Sequence, residues 1–222
     1  MTTPLPVLHA RASAFSYRCR ACNRCCYDKR IQVNPYELAR LSRQLGCSTS
    51  AVIANFTVDG GTALAKRPDT ACVFLGPNGC TVHASRPLAC RLYPLGRIVQ
   101  ADGSEVFIEL TPDPETKGLY GEDGTVAAYI ESQGVAPYIA AADRYYAVLT
   151  RLLSAGGTVT PSESLGDSVA DEIDQRVFVD ADFAVQMDAA RSGDPVPRDV
   201  DELMERHLAL IERLADVLTA RQ

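Results

Sequence analysis

No stretch of this 222-residue chain approaches the roughly 18 consecutive apolar residues of a membrane-spanning helix. The opening segment, MTTPLPVLHARASAF, holds no continuous apolar run of the kind that makes a secretory leader, so a cytoplasmic setting is expected. Equally missing are a Gly-rich phosphate loop, a G-x-S-x-G elbow and an H-E-x-x-H helix, which removes the usual sequence marks of three large enzyme chemistries. There is no internal repeat and no low-complexity tract. Nor does any cysteine follow Cys90. What the chain does have is concentrated at its front.

The stretch CRACNRCC, Cys19 to Cys26, packs four of the 8 cysteines into eight residues. Cys19, Cys22 and Cys25 fall at i, i+3 and i+6 with Cys26 directly after, so one backbone loop can wrap successive sulfurs around a small centre. Cys72, Cys80 and Cys90 return later. In a reducing cytoplasm such a cluster holds metal or does redox work, which places a disulfide framework second despite the even count. The C-x2-C-x2-C spacing serves both a tetrahedral zinc site and the three-cysteine loop of a cubane iron–sulfur cluster, and so does not name the metal. Seven clustered thiols exceed what one four-coordinate ion or one cubane consumes. Either three are not ligands or there are two centres. His83, three residues after Cys80, could complete a Cys3His zinc shell, although a surface or supporting position is preferred for it. Spare thiols could also serve as a redox pair or a landing site for metal transfer. Cys47 stands apart and reads as a core cysteine. His9 and His207 are isolated, with surface or packing roles as the default.

The net charge of -6 hides an asymmetry. Residues 1–111 carry 13 Lys+Arg against 7 Asp+Glu, whereas residues 112–222 carry 9 against 21. A basic first half invites a nucleic-acid reading, but the cations nearest the thiols compensate the negative charge of a thiolate centre more simply, and aromatic interleaving is slight. A nucleic-acid partner is therefore not expected. The carboxylates of the second half show no paired motif and read as a solvated face.

Asn34-Pro35-Tyr36-Glu37 predicts a helix start, and Gly46 its end. A second helix is expected from Ser48 or Ser50 through Phe56, broken by Gly60-Gly61. Cys72 to His83, turning at Gly-Pro-Asn-Gly, predicts a hairpin with a cysteine on each side. Gly96–Gln100 and Glu105–Leu110 predict another. Residues 111–123 are polar and turn-rich, a plausible boundary. Beyond them Thr125–Glu131, Tyr138–Leu153 and Asp199–Leu218 read as helices, the last with Leu203, Leu208, Leu210, Ile211, Leu214 and Leu218 on one broad face. Gly156-Gly157 and the stretch from Pro161 to Asp174 read as loops, and Arg176 to Val179 as a short strand.

Phe15-x3-Cys19-x2-Cys22-x2-Cys25-Cys26, then Cys72-Val-Phe-Leu, Gly79-Cys80-Thr-Val-His83, and Arg86-Pro87-x2-Cys90-Arg91-x-Tyr93-Pro94 together resemble the YkgJ-like cysteine-cluster family, the CxxCxxCC zinc- or iron-chelating domain. The resemblance covers roughly residues 15–110 and implies a metal site without implying a reaction. His83 stands where the family usually has tyrosine. A similar cluster in flagellin lysine N-methylases implies, by resemblance, an iron–sulfur centre with S-adenosylmethionine, but this chain is short and shows no nucleoside-binding motif. In the last segment Pro87 can start a short helix that delivers Cys90 and Pro94 can stop it, with Arg86 and Arg91 beside the sulfurs. There they tune the centre or bind an anionic ligand, or else serve charge compensation and packing, which is preferred.

The expected architecture is α+β: a small irregular cysteine-rich metal-binding domain with short helices and hairpins over 15–111, then a mainly helical region over 120–222 that covers the site or holds a protein partner. The expected function is a cytoplasmic metalloprotein carrying an iron–sulfur cluster, 4Fe-4S preferred, with a second metal allowed and a redox or cluster-dependent role. The expected ligands are Cys19, Cys22, Cys25, Cys26, Cys72, Cys80 and Cys90, with Arg86 and Arg91 in support. The competing readings are a structural zinc module of a regulatory or protein-interaction factor, metal storage or delivery, and cluster-dependent protein methylation.

Overall fold

The computed structural model describes residues 7–100, 102–154 and 174–220. In chain order its elements are β1 (Leu8–His9), β2 (Ala14–Arg18), α1 (Pro35–Leu45), α2 (Thr49–Phe56), β3 (Thr57–Val58), β4 (Ala63–Leu64), β5 (Leu75–Gly76), β6 (Gly79–Cys80), α3 (Leu88–Leu92), β7 (Leu95–Val99), β8 (Glu105–Glu109), β9 (Leu119–Thr125), α4 (Val126–Ser132), α5 (Ala136–Ser154), α6 (Ala181–Ser192) and α7 (Val200–Thr219). The class is α+β, with small antiparallel sheets early and helices dominating late. Among the described residues, no helix is long and apolar enough to cross a membrane.

The chain divides into two compact units, each assembled from two segments: Met1–Ile31 with Lys66–Pro137, and Gln32–Ala65 with Tyr138–Gln222. The polar stretch at 111–123 thus lies inside the first unit. Its second half is β9, paired antiparallel with β2 through Ser16 opposite Gly121 and Arg18 opposite Leu119. The predicted hairpin at 96–110 forms as β7 and β8, and β1 adds to the free side of β8 to give the order β1-β8-β7. Phe107, Leu95, Phe15, Val126 and Ile130 are buried in this unit. The β5–β6 hairpin is shorter than the sequence implied. Cys80 lies in its ladder opposite Leu75, whereas Cys72 sits outside it, bridged to Lys66.

The second unit is helical, and its boundaries follow from capping. Asn34 Oδ1 accepts from Glu37 N–H at 3.1 Å while Glu37 accepts from Asn34 N–H at 2.8 Å, a reciprocal box that starts α1. Gly46, at φ 67, ends it in the left-handed conformation that an added Cβ would disfavour. Ser48 caps α2, which stops at Phe56, because residues 57–58 turn extended to pair with β4 before the glycines arrive. Leu38, Leu41, Val52, Leu203 and Ile211 form a core from α1, α2 and α7, and Tyr138 of α5 packs edge-on against Tyr36 at 5.2 Å. On the predicted face of α7, Leu208 is also buried, Leu210 and Leu214 are half-buried, and the side chain of Leu218 lies outside the described residues.

Residues 175–178 form a 3-10 turn rather than a strand, because Asp174 accepts the Arg176 N–H and starts a helical turn that leads into the Asp180 cap of α6. The helix α6 was not anticipated. Its apolar and polar positions follow no clean stripe, since Ala181, Asp182, Ala184 and Val185 are all buried. The loops expected at Gly156-Gly157 and over 161–173 lie outside the described residues.

Candidate metal centre

All seven clustered cysteines belong to the first unit, and Cys47 belongs to the second. None of the eight is in a disulfide. Strand β2 delivers the chain to Cys19, after which the loop bends sharply on residues that are not glycine. Ala21, Asn23 and Asp28 have φ of 51, 64 and 54. The left-handed conformation costs an alanine about 1–2 kcal/mol, so Ala21 is held there by its surroundings. The bend turns backbone donors toward sulfur: Ala21 N–H donates to Cys19 Sγ at 3.3 Å, and Lys117 N–H donates to Cys22 Sγ at 3.4 Å. Cys25 and Cys26 follow in a single 3-10 turn closed by Cys26 N–H to Asn23 C=O at 2.9 Å.

The later thiols are brought to this loop by backbone pairing. Cys72 N–H donates to Cys26 C=O at 2.8 Å, Asp28 N–H donates to Thr70 C=O at 3.2 Å, and Tyr27 bridges Ala71. Cys72 therefore lies beside Cys26, and the hairpin that follows carries Cys80 back toward it. Cys90 rides on α3, where its N–H bonds Pro87 C=O at 3.0 Å. The proline supplies the fixed backbone angle that starts the helix.

The charges report the same neighbourhood. A hydrogen bond from Cys26 is the main force holding the Cys25 thiol down to about 7, with the Lys29 and Arg86 charges assisting. Cys26 is pushed strongly upward, first by that shared bond, then by burial and by the negative fields of Cys25, Cys90 and Cys72. Burial also raises Cys72, with Cys80 adding to the effect. Cys22 moves the other way, lowered chiefly by the Lys117 N–H. The first thiolate of the Cys25–Cys26 pair thus forms easily, and a second is resisted unless a cation enters. In donor chemistry the set fits a soft, thiophilic metal or cluster. Among the described residues, no three Cys, His, Asp or Glu side chains already stand in metal-holding geometry, so the backbone assembles the neighbourhood without fixing a coordination shell.

The two arginines play different parts. Arg91 donates from Nε to Arg86 C=O at 2.9 Å, from Nη1 to Gln133 C=O at 2.8 Å and from Nη2 to Ala84 C=O at 2.5 Å. It clamps α3 to the preceding turn and to the end of α4, and so positions Cys90. Arg86 bonds Gln133 Oε1 at 2.7 Å, and its charge acts on Cys25. Its Nη1 also lies within 3.0 Å of both His83 ring nitrogens. Burial, then the Arg86 and Arg91 charges, lower the His83 pKa, which favours the neutral ring.

Sequence reasoning missed an aromatic wall. Tyr17 meets Tyr120, Tyr93 and Tyr129 edge-on at 5.0, 5.8 and 6.3 Å, and Tyr129 meets Phe15 at 5.2 Å. The hydroxyl of Tyr129 donates to Tyr93 C=O. Burial, then the nearby Cys19, Tyr93 and Cys25, raises the Tyr17 pKa, which locates the wall beside the thiols. Positions 17, 93, 120 and 129 share no local pattern, so nothing short of the fold groups them.

Comparison with known families agrees with this geometry. Residues 18–109 match the CxxCxxCC family, described as "putative zinc- or iron-chelating domain". The matched CxxCxxCC segment runs from the end of β2 to the end of β8 and contains all seven clustered cysteines. It supports metal binding and is compatible with either zinc or iron. No curated protein and no solved structure matches the chain.

Proposed function

We propose that the first unit holds an iron–sulfur centre on sulfurs drawn from Cys19, Cys22, Cys25, Cys26, Cys72, Cys80 and Cys90, and that the protein acts in a redox or cluster-dependent role. The observation that carries the reading is the seating of Cys72 against Cys26 by a backbone bond, with Cys25 and Cys90 acting on the same thiol. The C-x2-C-x2-C loop with further cysteines arriving from elsewhere in the chain is the arrangement that holds a cubane, and seven thiols, more than one zinc or one cubane takes up, leave room for a second metal. Backbone N–H groups aimed at Cys19 and Cys22, and the charge of Arg86 near Cys25, are the contacts by which a protein sets a cluster's potential. When bound, such a cluster supplies one-electron chemistry.

The test is purification without oxygen, followed by iron, zinc and acid-labile sulfide analysis and an absorption spectrum. Brown protein with iron and sulfide in matching amounts supports the reading. Colourless protein with stoichiometric zinc replaces it with a structural zinc module, and metal that leaves with a mild chelator indicates storage or delivery. A flat titration with S-adenosylmethionine disposes of methyl transfer.

A further inference from the structure

Beside the cysteine loop the first unit has an open cleft of about 730 Å³, whose wall includes Cys22, Arg24, Tyr27, Arg67, Glu115 and Lys117. That volume suits a small molecule. Three cations face it against one carboxylate of its own lining, and each cation is held differently. Arg67 is fixed in place, donating from Nη1 to Leu75 C=O at 2.8 Å and from Nε and Nη2 to the two Asp69 carboxylate oxygens at 3.3 Å, so its fork is already taken and its charge largely matched. Arg24 is ion-paired with Glu115. Among the described residues no carboxylate pairs with Lys117, yet its backbone is tied to Cys22 through the bond to Sγ.

We propose that this cleft is a binding site for a small organic anion, carrying a carboxylate or phosphate group, with Lys117 as its charge anchor and Glu115 as a built-in competitor for Arg24. The anion takes the place of the Glu115 carboxylate on the Arg24 guanidinium and lies against Cys22. An arginine fork and a lysine point charge are the side chains that recognise such groups. The site goes beyond metal binding, since only Cys22 is common to both.

The competitor gives the proposal opposite signs to check. Succinate and inorganic phosphate, each titrated by calorimetry into the full-length protein, serve as probes, with iron and zinc measured on every preparation. One screened charge contact is worth about fivefold in affinity. Lys117→Gln is expected to weaken binding of the better probe about fivefold, and Glu115→Gln to tighten it by a similar factor, with metal content equal to the parent in both. Rising salt weakens binding in all three proteins. Absence of binding by both probes, or weakening by Glu115→Gln, overturns the proposal. So does a Lys117→Gln protein that binds as the parent does. Loss of metal from the parent protein counts against the metal reading alone, because the titrations are read separately.

Discussion

Replacing Arg91 with lysine keeps the charge and removes the fork. The three carbonyls that Arg91 serves belong to two places, those of Ala84 and Arg86 to the turn before α3 and that of Gln133 to the end of α4, and a lysine ammonium acts as a single point donor. It can hold one of them at best. Each lost bond is worth about 1 kcal/mol net, since water takes over part of the carbonyls' need, so Arg91→Lys should cost about 2 kcal/mol, or about 30-fold in the folding equilibrium. The chain has no tryptophan and 9 tyrosines. Near-ultraviolet circular dichroism therefore reports tyrosine packing, and the wall around Tyr17 contributes to it. Urea titrations followed by this signal should show an earlier transition for the variant, accompanied by weaker metal retention, because Cys90 sits directly before Arg91. A free-energy change under about 0.5 kcal/mol with unchanged metal content would refute the clamp.

Other outcomes follow from separate features. His207 is fully buried, with Nε2 donating to Val177 C=O at 2.7 Å and Nδ1 without a partner, and desolvation lowers its pKa. Its contribution is therefore complete above the unfolded value of about 6.5 and is lost as pH falls, because the unfolded chain then binds the extra proton. Thermal midpoints measured from pH 8 to pH 5 should decline less for His207→Gln than for the parent, and parallel curves would contradict this. Asp180→Ala strips the acceptor from Thr49 Oγ1, Ser50 Oγ and the Phe183 N–H, at 2.5, 2.5 and 3.1 Å, and should cost about 2–4 kcal/mol by urea denaturation. A methyl group at position 118 would stand 2.5 Å from the Tyr17 ring, which three tyrosines confine, so Gly118→Ala should cost about 1–3 kcal/mol and perturb the tyrosine signal. Cys72→Ser and Cys90→Ser should each lower metal content measured on oxygen-free preparations, whereas Cys47→Ser, in the other unit, should not.

Local chemistry was readable from the chain and long-range assembly was not. The helix starts at Asn34, Thr125 and Asp199, the Gly46 stop and the β7–β8 hairpin are all fixed by neighbours within a few residues, so their signals survive in one dimension. The strands β1, β2 and β9 were missed, because β2 finds its partner about a hundred residues away and β9 is rich in glycine and acid, LYGEDGT. The two units were likewise invisible, since interleaving leaves no mark in composition. At the site, the thiol spacing singled out the seven cysteines that the fold places in one unit. The tyrosines, the Gln133 anchor for both arginines and the pairing of residues 26–28 with 70–72 came only from the fold.

Because the backbone passes from one unit to the other after Ile31, after Ala65 and again after Pro137, neither unit can be excised by a single cut at each end. A clone trimmed to residues 18–109 would keep α1 and α2 while discarding α6 and α7, leaving Leu38, Leu41 and Val52 bare to solvent. It would also drop the strand that β2 pairs with and the glutamine that steadies both arginines. Expression trials of that fragment should yield insoluble material even with metal supplied, whatever the full-length protein does.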